Sequence, residues 1–156
     1  MLSRKKLIYI SGIEVIGNAR YIQQVRRSLM RLKKKDPASF KLILKYIGRI
    51  EWSERSGMAP WQSPPTFYLA DLTAFPSVTW CASCILHDAH HSKLYLDYLR
   101  RNKKTPGRRI YSGRLVELFC IRKQLISAKR IGASASEIAH LKRLDGKHIF
   151  IRKQYW

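Results

Sequence analysis

The 156 residues carry 31 Lys plus Arg against 10 Asp plus Glu, a formal charge of +21, with 46% hydrophobic residues. That length and apolar content predict one globular domain over residues 1–156, and no apolar run reaches the roughly 18–20 residues of a membrane-spanning helix. Three cysteines, Cys81, Cys84 and Cys120, are too few for a secreted disulfide scaffold and leave one unpaired in a monomer, which points to a reducing compartment.

From the N-terminus, Lys5-Lys6 precede only a short apolar run before Glu14, so no Sec signal peptide is expected. The predicted location is the cytoplasm, or outside it by a route that uses no such signal. Leu7 to Val15 is rich enough in β-branched and aromatic residues for an early strand, with Gly12 as a bend or bulge. After Asn18, a candidate N-cap, Tyr21, Ile22, Val25, Leu29 and Leu32 recur at helical spacing, and the helix ends in Lys33-Lys34-Lys35. Asp36-Pro37 is an N-cap followed by proline at the first helical position; Phe40, Ile43, Leu44 and Ile47 give that helix its buried stripe, and Gly48 closes it. Arg49 to Glu54 reads as a strand, Ser56 to Pro65 as a Gly/Pro/Ser loop, and Thr66 to Leu72 as another strand.

A long helix is predicted from Ser77, its N-cap, to about Arg100. A basic turn over 102–109 separates it from a helix that starts near Gly113 and ends near Gly132. Ser134 or Ser136 caps a short helix before Gly146, and 148–156 reads as a strand or as unstructured chain. The expected fold class is therefore α+β, helices dominating, with two or three strands in a small sheet beside the long helix.

The chemistry concentrates in His87-Asp88-Ala89-His90-His91. His87 and His91, four apart on a helix, project from one face and can reach the same ion. Trp80, Cys84, Leu94 and Tyr98 share that stripe, so the imidazoles lie on a face that otherwise reads as buried, and buried imidazoles need partners. His90 falls off the stripe and reads as exposed or as a supporting residue. In the motif H-E-x-x-H the histidines bind zinc and the carboxylate after the first takes a proton from the metal-bound water; here aspartate, one methylene shorter, stands in that place. A catalytic zinc site needs a third protein ligand. Glu117 projects with Cys120, Ile121, Gln124 and Ala128, opposite the basic residues Arg114, Arg122, Lys123, Lys129 and Arg130, so it is either a ligand or one half of a structural ion pair.

His87-Asp88-x-x-His91 followed on a later helix by Glu117 resembles the gluzincin arrangement of zinc metallopeptidases, and residues 66 to 132 are similar to small, poorly characterised bacterial zincin-like families. The resemblance implies a zincin-like domain that holds Zn2+ through His87, His91 and Glu117, uses Asp88 as base, and aligns an extended peptide or protein substrate on an edge strand above the site. His148, or Tyr111, is a candidate for polarising the substrate carbonyl.

Two rival readings arise from the same residues. Cys81-x-x-Cys84 with His87 and His91 gives four zinc-ligand types, but all lie on one continuous helix and Cys81 points away from His91, unlike a finger whose chain folds back. The +21 charge predicts non-specific polyanion binding. It also admits a non-enzymatic nucleic-acid-binding module with a structural or vestigial metal site, in which Tyr21, Trp52, Trp61 and Tyr111 stack on bases.

Overall fold

The computed structural model describes residues 5–147. β1 (Lys6–Ile10) and β2 (Ile13–Gly17) pair antiparallel. The stretch read as one bent strand is thus a hairpin. Its two-residue turn places Ser11 at φ 51° and Gly12 at φ 88°, and two successive left-handed residues match the twist of paired strands, so the chain reverses there. α1 (Ala19–Lys35) starts where the Asn18 side chain accepts from the Tyr21 N–H, and it buries the predicted stripe from Tyr21 to Leu32.

Asp36 ends α1, and its side chain accepts from the Ser39 N–H to open α2 (Pro37–Tyr46); Arg130, from far along the chain, also reaches it at 3.4 Å. Burial pushes the Asp36 carboxyl up, but hydrogen bonds from the Ser39 N–H and hydroxyl and the charge of Arg130 outweigh burial and hold its pKa below the ordinary value. A carboxylate with a depressed folded pKa contributes stability above its unfolded pKa of about 3.9, lost as the pH falls through the folded value. Asp36→Ala is therefore expected to cost about 1 kcal/mol at pH 7, with the gap to the parent narrowing below about pH 4. Urea titrations from pH 7 to pH 2 measure this, and a gap independent of pH would refute it.

β3 (Arg49–Trp52), β4 (Gly57–Ala59) and β5 (Thr66–Leu69) complete a five-stranded sheet of order β1-β2-β3-β5-β4. β2, β3 and β5 run parallel, while β1 and β4 are antiparallel edge strands. The sequence predicts two or three strands. The hairpin adds one, and β4 lies inside the stretch read as loop, because Gly-Met-Ala is too short to display an alternating pattern. The end of the last predicted strand turns instead into α3 (Asp71–Ala74).

α4 (Val78–Asn102) begins at its Ser77 cap as expected. α5 (Arg108–Tyr111), α6 (Arg114–Arg130) and α7 (Ala135–Arg143) follow, the last opened by a capping box of Ser134 and Glu137. α4 is the central element, packed by α1, α2, α6 and β4. That surround explains why Cys81 to His87 are all buried without a break: no side of this half of the helix faces solvent. The main core joins the sheet to α1, α2 and α4 through residues such as Val15, Leu29, Ile43, Ile50, Phe67 and Leu86. A smaller cluster of Trp80, Ala128 and Leu141 ties α4 to α6 and α7. The fold is α+β and helix-dominated, as expected. Among the described residues no helix is long and apolar enough to cross a membrane.

Candidate metal centre

His87 and His91 are buried on α4, and Glu117 and Cys120 are buried on the facing side of α6. The exposed side of α6 carries Arg114, Arg122, Lys123, Lys129 and Arg130, so the helix has the two faces that its sequence predicts. Where α4 and α6 meet, three side chains converge. Nε2 of His87 lies 3.1 Å from Oε2 of Glu117, Nε2 of His91 lies 3.0 Å from Oε1 of the same carboxylate, and the two Nε2 atoms are 3.1 Å apart.

The protons in this cluster can be placed from the outer ring nitrogens. His91 Nδ1 is 2.7 Å from the backbone carbonyl of Tyr111, which only accepts, so Nδ1 carries hydrogen and donates. His87 Nδ1 donates to Oε1 of Gln124 at 2.9 Å, and the Gln124 amide is oriented by donating through Nε2 to Ser83 Oγ and Cys84 Sγ. With hydrogen on Nδ1, each ring turns its Nε2 inward, and in the neutral form of the ring that atom presents a lone pair. Two ring nitrogens and a carboxylate then face one another, largely buried, and this is stable only if positive charge lies between them. One proton bridges one of the three contacts; one metal ion satisfies both ring nitrogens and the carboxylate. Zinc at about 2.0–2.1 Å from tetrahedral ligands places those ligands roughly 3.3 Å apart, so separations of 3.0–3.1 Å need only a small expansion to admit the ion. The donor types and spacing suit a metal ion.

Cys120 belongs to the same group. Its Sγ and one ring nitrogen from each of His87 and His91 lie within 4.8 Å of one another, all buried, so this trio too is able to hold a metal ion. Burial pushes the Cys120 thiol up, and a hydrogen bond with His91 pulls the other way. Burial lowers His91, but hydrogen bonds with Cys120 and Glu117 more than offset it and hold its pKa well above the ordinary value. The sequence places Cys120 on the Glu117 face without marking it as a ligand; its i, i+3 spacing from Glu117 was the available signal.

Asp88 is half-buried and lines a cleft of about 160 Å³ together with His87, His91 and Glu117. Gly57 and Met58 of β4, with Tyr111 and Ser112, complete its lining. Trp61, 59% exposed, packs edge-on against both Tyr95 and Tyr111, the latter a lining residue. β4, an edge strand among the described residues, thus lines the cleft, in a segment whose sequence reads as loop.

Two sequence expectations change. His90 is buried against Phe119 rather than exposed; its Nδ1 has no hydrogen-bond partner among the described residues, and burial, with Lys123 nearby, pushes its pKa down to about 4. Tyr21 is fully buried in the core and is no stacking platform. As the single continuous helix predicts, Cys81 and Cys84 are not part of the metal-competent group, and Cys84 accepts from Gln124. His148 lies outside the described residues.

The fold and site together define an α+β protein with a buried, metal-competent group at a helix–helix junction beside a sheet edge. No protein-family model, no curated protein and no solved structure matches this chain.

Proposed function

We propose that the protein is a zinc-dependent hydrolase of peptide bonds, with His87, His91 and Glu117 as metal ligands and Asp88 as general base. The observation that carries this reading is the pair of inward-facing Nε2 atoms closed by the Glu117 carboxylate, with Tyr111 and Gln124 holding the outer nitrogens. Zinc held there supplies Lewis-acid chemistry, polarising a carbonyl and acidifying water. Asp88 opens into the same cleft and takes a proton from the attacking water at its carboxylate, then delivers it to the leaving amine. Among the described residues β4 pairs with β5 alone, and its open edge would align an extended peptide across the cleft. A quenched-fluorescent peptide library incubated with zinc-loaded protein tests the activity. Cleavage that chelator stops and zinc restores is the expected result, and no turnover of any peptide by fully loaded protein would refute it.

Gln124 is a positioning residue, and conversion to leucine removes the acceptor that fixes the His87 tautomer. Gln124→Leu is expected to weaken zinc affinity about 10–100-fold without abolishing binding, as read by competition with a chromophoric chelator; unchanged affinity would refute the role.

Cys120 favours a second reading. If its thiolate joins the two histidines and Glu117, four protein ligands close the site, and the metal is structural rather than catalytic. Cobalt(II) substitution separates the two. A near-ultraviolet sulfur-to-cobalt charge-transfer band that disappears in Cys120→Ser marks the closed site, and its absence leaves a position open for water.

A further inference from the structure

Away from the metal centre, α2 and α4 form the walls of a separate groove of about 600 Å³. Lys41 and Lys45 line one wall, a helical turn apart; Lys93, Arg100 and Arg101 line the other. The single carboxylate there, Asp97, is already engaged by Lys93, by Arg100 at 3.2 Å and by the Tyr46 hydroxyl at 2.8 Å. It therefore holds the cationic wall in place, while Lys41, Lys45 and Arg101 add charge that it does not offset. Past the groove the chain continues basic. Between Asp97 and Glu117 it carries Arg100, Arg101, Lys103, Lys104, Arg108, Arg109 and Arg114 and no acidic residue, and each of these cations is exposed.

We infer that this groove, extended along residues 100–109, is a docking surface for the phosphodiester backbone of a nucleic acid. Two facing rows of cations suit a linear polyanion with regularly spaced charges, where each Lys or Arg that meets a phosphate releases a condensed counterion. A concave channel between helices suits such a strand better than a flat lipid surface. Arginines present paired N–H donors that match phosphate oxygens. The lining offers no cluster of amide or aromatic side chains to read base edges, so recognition is of backbone and not of sequence. The basic segment ends two residues before Tyr111, whose carbonyl fixes His91, so a bound strand lies beside the metal centre. The surface stands independently of the proposed hydrolase activity.

The test is fluorescence anisotropy of the full chain with a 20-base-pair DNA duplex of random sequence, over a range of salt concentrations. Lys41→Gln, Lys45→Gln and Arg101→Gln are combined in one variant. Arg26→Gln, Arg27→Gln and Lys129→Gln, exposed cations outside the groove, are combined in a control of equal charge. The groove variant is expected to lose at least tenfold in affinity, and the slope of log K against log salt is expected to fall by about 2–3, roughly one per phosphate contact. The control is expected to change little, and zinc content and thermal midpoint are expected to hold in both. Equal losses in the two variants would overturn the inference, because net charge alone then explains binding. So would tighter binding to polyglutamate, or to vesicles containing phosphatidylserine, than to the duplex, since these identify an acidic protein or a membrane as the partner.

Discussion

Asp88→Ala is expected to keep its zinc and to lose peptide hydrolysis by about 10²–10⁴-fold, the range that a positioned general base contributes. The residue shares the cleft of His87, His91 and Glu117 but is not one of the convergent atoms, so its removal leaves ligation intact and takes away only the proton acceptor. Asp88→Glu adds a methylene of reach and is expected to retain or raise activity. Steady-state rates on the best library peptide, with metal content measured on the same samples, separate the two roles. Loss of zinc from Asp88→Ala would make Asp88 a ligand, and full activity in that variant would end its role as base.

The second large effect is on stability. Removing zinc leaves a carboxylate and two imidazoles facing one another between α4 and α6, with only protons to relieve them, whereas metal bound to the folded state alone stabilises it by about 4 kcal/mol at a free concentration 1,000 times Kd. For a chain of this size each kcal/mol is worth roughly 2–4 °C in Tm, so chelation is expected to lower the midpoint by about 10 °C. In the His87→Ala, His91→Ala double variant the chelator is expected to shift nothing. A parent protein whose Tm is indifferent to chelator at saturating initial zinc would contradict metal binding to the native state.

The juxtaposition of His87, His91 and Glu117 was legible because helical geometry is strict. Four-residue spacing determines that His87 and His91 meet, and one acidic residue on an otherwise apolar face singles out Glu117. What escaped was non-local. Cys120 gains its place from the packing of α6 on α4, and the support from Gln124 and the Tyr111 carbonyl depends on contacts across 37 and 20 residues. The exposed reading of His90 failed because it assumed one buried side to α4, when neighbours enclose the helix almost completely at that level. The sheet was the least legible part. β4 is three residues long, held by pairing with β5 and carrying little pattern of its own, and the Ser11-Gly12 turn requires a left-handed serine that composition does not announce.

The most direct measurement is the zinc content, by plasma mass spectrometry, of protein dialysed against limiting free zinc, taken on the parent chain, on His87→Ala with His91→Ala, and on Glu117→Gln. One zinc per parent chain, none in the double histidine variant and weakened retention in Glu117→Gln is the expected result; a double variant that keeps its zinc, or a parent chain that binds none, would contradict a metal centre built on His87, His91 and Glu117.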